Sequence, residues 1–100
     1  MTRTLLADLE EIYGSGLTAL AVGRAIARHS AGDWGDLDEW DKGANDRALR
    51  DGSRIFSAYE IGNLLPEGAP FSPIRIWVIT EAMDDDGVRR STCVMLPSDY

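Results

Sequence analysis

Apolar residues in this chain recur with a helical period as far as Asp51-Gly52 and with a strand period beyond it. That switch restricts the fold to helices followed by strands, the α+β class. Leu5, Leu9 and Ile12 mark a first helix running from a cap at Thr4 to about Tyr13, where Gly14-Ser15-Gly16 breaks it. A second helix spans about Thr18 to His29, with Leu17, Leu20, Ala21 and Ala25 as its stripe, and pairs with the first as a helical hairpin. Gly32 ends it. Asp36-Leu37-Asp38-Glu39 then resembles a capping box, with Asp36 as cap and Glu39 reaching back. Leu37, Trp40, Ala44 and Ala48 follow as an inward face, while Asp38, Asp41 and Asn45 face outward. Gly43 weakens this helix by about 1 kcal/mol relative to Ala, so two short helices are the alternative.

The second half predicts three strands. Arg54–Ile61 alternates Ile55, Ser57 and Tyr59 against Phe56 and Ala58. Residues 62–73 contain Pro66, Pro70 and Pro73 and read as a long loop. Ile74–Thr80, IRIWVIT, is the strongest strand and central, with Trp77 in the core. Asp84-Asp85-Asp86-Gly87 is a hairpin turn, Arg89–Leu96 the last strand, and Pro97 stops it. The expectation is one domain, 1–100, with a helical half (2–52) covering one face of an antiparallel three-stranded meander (53–100).

Charge is concentrated at the junction of the halves. Asp33, Asp36, Asp38, Glu39, Asp41 and Asp46 stand against Lys42 alone, and Trp34 and Trp40 lie among them. The whole chain carries −7. Such a balance argues against direct nucleic-acid binding, which needs clustered Lys and Arg, and favours basic partners. A single cysteine, Cys93, excludes an intrachain disulfide and fits a reducing compartment. Asp8, Glu10 and Glu11 interrupt any signal-peptide core, and Leu17–Val22 is far shorter than a membrane span. The expected location is cytoplasmic, without membrane contact.

Catalytic signatures are weak. The acidic stretch fails as an EF-hand: counted from Asp36, Trp40 falls on the fifth position and Asp41 on the sixth. His29 is the only histidine and Cys93 the only cysteine, so neither builds a zinc site, and no cofactor is expected. Ser15 in YGSGL does not fit a nucleophile elbow, and there is no phosphate-binding glycine loop. Arg89-Arg90 reads as a charged hairpin end. Of Trp34 and Trp40, one is expected to pack under the helix and the other to anchor a partner.

The segments ARHSAGDWGDLDEWDKGANDRAL, GSRIFSAYEI, IRIWVITEA and STCVMLPSDY, in that order, resemble a family of small uncharacterised proteins carried on bacterial plasmids and other mobile elements. Its pattern, GDWGDLDEEDKxxND…RILSAY…KIWIITEADRS…LLPxxY, is matched from about Ala27 to Tyr100. Departures are Trp40 where an acid is usual, the longer loop 62–73, and Met83–Val88 in place of a tighter turn. Some members are labelled as a methylation subunit of type I restriction systems, a role for which this chain has no glycine-rich cofactor loop. The mobile-element context implies a decoy that occupies nucleic-acid-binding surfaces of host defence systems.

The resulting expectation is a non-catalytic acidic module. It would dock Asp33, Trp34, Asp36, Asp38, Glu39, Trp40 and Asp41 onto a basic surface of a nucleic-acid-handling protein, in the manner of an anti-CRISPR or anti-restriction inhibitor. Two alternatives come from other classes. One is a small hydrolase or toxin using His29 with a carboxylate. The other is a homo-oligomer formed through the open sheet face or an edge strand.

Overall fold

Helix α1 (Arg3–Ser30) opens the computed structural model, which describes residues 1–100. It is capped by Thr2 rather than Thr4: the Thr2 hydroxyl accepts from Leu5 N–H and donates to Asp99 Oδ2 at 2.6 Å. Gly14 interrupts α1 at φ 77°, ψ 170°, a conformation essentially closed to residues with a Cβ. The consequence is visible at the ends. Thr2 N–H bonds Val94 O, while the His29 ring reaches Thr80, whose partner Thr92 is two residues from Val94. A straight helix of this length would extend about 42 Å and could not touch both points. α1 is therefore bent back at Gly14. The expected hairpin takes this form, with its link reduced to one residue and Ser15 and Gly16 absorbed into helix.

Both arms face one core. Leu5, Leu9 and Tyr13 from the first, and Ala21 and Ala25 from the second, pack with Tyr59, Ile61, Leu64, Ile76, Val78 and Val94. Each fully buried Leu, Ile or Val contributes about 1.5–3 kcal/mol of transfer free energy.

Helix α2 spans Glu39–Asp51 as one piece, so Gly43 does not divide it. Its cap is Asp38, not Asp36: Asp38 Oδ1 accepts from Asp41 N–H at 2.8 Å. Its buried residues are Asn45 and Ala48, and Trp40 points outward. The inward face differs from the expected one, and Asn45 lies in it rather than outward, because its centre is a polar residue. Five residues separate Trp40 from Asn45, or about 140° around the helix axis, so a stripe drawn through apolar side chains alone is rotated toward Trp40.

Strands β1 (Ile55–Glu60), β2 (Arg75–Thr80) and β3 (Thr92–Met95) form the predicted antiparallel meander in the order β1-β2-β3. Ile55, Ser57 and Tyr59 stand opposite Thr80, Val78 and Ile76. That row belongs to the face α1 covers. The other face carries Phe56 and Trp77, edge to face at 4.7 Å, and Tyr100 beyond them. Trp77 is half-buried on this side rather than in the main core. The Asp84 carboxylate organises the β2–β3 turn, accepting from Asp86 and Val88 N–H.

The outer edge of β1 has no free ladder group from Phe56 N–H to Glu60 N–H. Asn45 Nδ2 donates to Phe56 O and Phe56 N–H donates to Asn45 Oδ1. Asp36 N–H donates to Ala58 O, and Ala58 N–H to Trp34 O. Glu60 N–H donates to Asp36 Oδ2 at 2.9 Å. Edge strands invite pairing with other chains unless covered, and here the acidic segment is the cover. A copy pairing along β1 would have to displace it.

Candidate functional site

The acidic segment divides into residues that hold the fold and residues left free. Gly35 lies against β1 so closely that a Cβ would overlap the Ala58 carbonyl oxygen and the Tyr59 ring, and its φ is 74°. On one side of it, Asp33 is bound by the Arg28 guanidinium at 2.7 Å, which holds its carboxyl below the usual value; the Gly35 N–H adds to this. The Asp33 carbonyl accepts from Tyr59 Oη at 2.5 Å. On the other side, Asp36 closes the β1 edge and Asp38 caps α2. Trp34 is buried beside Ala48 and Ile55, and its indole N–H donates to Asp46 Oδ1 at 3.1 Å.

Four of the seven expected contact residues therefore have structural work: Asp33, Trp34, Asp36 and Asp38. Three remain together on the first turn of α2. The Glu39 side chain is 94% exposed, with Lys42 no closer than 3.8 Å. Trp40 is 78% exposed, with the Arg47 guanidinium 5.9 Å from its ring centre. Asp41 is exposed and makes no side-chain hydrogen bond within the chain. The helix as a whole is close to neutral, with four acids against three bases, and only its first three residues hold acids with no base among them. Negative charge is thus a property of its N-terminal turn and of the segment leading into it, not of the whole helix.

A second group of polar residues surrounds His29. The ring is buried, with Nδ1 2.6 Å from Ser57 Oγ and Nε2 2.8 Å from Thr80 Oγ1; Thr80 in turn meets Thr92 Oγ1 at 2.8 Å. Burial pushes the imidazole pKa below its ordinary value. Neither ring nitrogen bonds a carboxylate, so the orienting acid required by the hydrolase alternative is not on the ring. His29 also forms one wall of a cleft of about 400 Å³, with Trp34, Leu49, Ile55 and Arg89 around it. In the sequence His29 stands at a helix end and as the residue of the hydrolase alternative, with no partner marked for it. Ser57, Thr80 and Thr92 gave no signal, because separate strands bring them together.

No group of three or more His, Cys, Asp or Glu side chains converges as a metal site. No helix is long and apolar enough to cross a membrane. Comparison with protein-family models, curated proteins and solved structures finds no match.

Proposed function

We propose that this chain is a non-catalytic protein-binding module whose contact surface is the first turn of α2. The observation that carries this reading is Trp40, 78% exposed between the exposed carboxylates of Glu39 and Asp41. A large aromatic ringed by polar groups is the usual form of an interface anchor. Inside the chain Trp40 meets the Arg47 guanidinium at 5.9 Å and is otherwise left to solvent on one whole side. The partner surface is basic, with an apolar recess for the indole. The resemblance to mobile-element proteins adds a more specific partner, a nucleic-acid-handling protein of a host defence system whose phosphate-binding groove accepts the acidic turn.

Asp36 and Asp38 do not serve as test positions, since reversing either charge also removes a fold contact. Glu39→Lys and Asp41→Lys leave the edge cover and the cap in place. The experiment is a pull-down from host lysate at low and high salt with the wild type, the Glu39→Lys/Asp41→Lys double variant and Trp40→Ala. A nucleic-acid-binding protein captured by the wild type, released by salt and by competing DNA, and lost with both variants supports the reading. Capture indifferent to all of these would sink it.

A further inference from the structure

The geometry points to a binding site for a small organic monocarboxylate with a flat apolar body in the cleft beside His29. This site is separate from the α2 turn and independent of its proposed role. The cleft, about 400 Å³, lies where the C-terminal ends of α1 and α2 meet the Thr80–Thr92 end of the sheet. That volume falls within the range of small-molecule sites, which are apolar with a few placed polar groups.

Its charge runs against that of the chain. The protein carries −7, yet the one charged side chain lining this cleft is Arg89 and no acid lines it. Arg89 is fixed in place by backbone oxygens. Nη1 donates to Ser53 O and Glu81 O at 2.7 and 3.0 Å, and Nη2 to Ala48 O at 3.0 Å. These neutral acceptors use three of the five guanidinium N–H groups. Nε–H and one Nη2–H keep no partner in the chain, and no carboxylate forms an ion pair with the guanidinium; Asp51, whose pKa is lowered chiefly by Ser53, feels its charge from farther away.

A chain of polar side chains runs from the core to the cleft. Ser57 is wholly buried between His29 Nδ1 at 2.6 Å and the Tyr59 hydroxyl. On the other side of the ring Nε2 meets Thr80 Oγ1, and Thr80 meets Thr92 Oγ1. The chain of polar groups ends at Thr92, an exposed residue lining the cleft, whose hydroxyl rotates to suit a bound acceptor. Arg89 and the Thr92 hydroxyl can both donate into the cleft and no acid lines it, an arrangement that selects an acceptor of negative charge. A single fixed cation suits a monoanion better than a dianion. Trp34, Leu49 and Ile55 supply an apolar wall for the body of the ligand.

The test is an amide and side-chain N–H NMR titration near pH 7 with benzoate, and with benzyl alcohol and inorganic phosphate as separate probes. Benzoate should give saturable shifts at Arg89 Nε–H and at the Thr80 and Thr92 amides, and bind at least about tenfold tighter than either other probe. Arg89→Gln should abolish binding but also frees three carbonyls. Leu49→Glu is therefore the cleaner variant, because Leu49 is exposed on the cleft wall and its replacement adds only a repelling charge. It should keep the wild-type spectrum elsewhere and weaken benzoate about tenfold or more. Equal response to benzyl alcohol or phosphate, no saturation, or unchanged binding by Leu49→Glu would each overturn the inference.

Discussion

Asn45 and Phe56 exchange two hydrogen bonds, side-chain amide against backbone amide, at 2.5 and 3.0 Å. The Asn45 side chain acts as a strand of one residue, and its substitution should be costly. Asn45→Ala leaves Phe56 N–H and C=O unpaired at a largely buried site, a loss of about 2–4 kcal/mol. Asn45→Asp keeps the size and the acceptor but sets a carboxylate against the Phe56 carbonyl, and should destabilise by a similar amount. Urea denaturation of both variants checks this; an Asp variant as stable as wild type would contradict it.

The bend in α1 gives a prediction with an internal control. Gly14→Ala forces a Cβ into a backbone conformation that residues with side chains avoid, at a cost of about 1–3 kcal/mol. Gly16, two residues on, lies in helix with open space around it. Gly16→Ala should therefore stabilise by about 0.4–1 kcal/mol. Thermal melts of the two variants should move in opposite directions, and a shared direction would refute the one-residue turn.

His29 should make stability depend on pH. Its folded pKa lies below the ordinary value because burial disfavours the cation. The unfolded chain, near 6.5, then binds more protons in the window between the two values, so stability rises with pH there. It is complete above about pH 6.5 and lost as pH falls toward the folded value, by at most about 1.4 kcal/mol per pH unit. Asp33, Asp84 and Asp99, all held below their ordinary pKa of 3.8, act in a separate and more acidic window. Denaturation series between pH 5 and 8 (about the imidazole range) should show the slope in the wild type and not in His29→Gln. An identical slope in both would assign it elsewhere.

Much of the fold was legible because its signals are local. Period-2 alternation in Ile55–Tyr59, the apolar run IRIWVIT and the turn at Asp84–Gly87 each identify their element without outside information. Gly14 marked the break in α1, although a turn of one residue is not a sequence pattern. The acidic segment was harder. Its carboxylates look alike in sequence, yet Asp36 bonds the Glu60 N–H, Asp38 caps a helix and Asp41 bonds no partner through its side chain. Which of these an Asp does depends on where β1, distant in sequence, comes to lie. Trp34 and Trp40 divided as expected into one packed and one exposed, but period alone assigned Trp40 to the inward face. Asn45, a polar residue buried against a strand edge, is the kind of core position that hydrophobic patterns overlook.

Charge reversal should separate the two roles of the acidic segment. Asp36→Lys removes the acceptor for Glu60 N–H and should lower stability by about 1–3 kcal/mol. Glu39→Lys, on a side chain 94% exposed, should shift stability by no more than about 0.5 kcal/mol. Equal losses in the two variants would mean that the segment is not divided in this way.

The most direct measurement of the central claim is the affinity of Trp40→Ala for the captured partner, set beside its melting temperature. The account predicts an unchanged melt and binding at least about thirtyfold weaker, the loss of an interface anchor worth about 2 kcal/mol or more. Full affinity in a folded Trp40→Ala would contradict it.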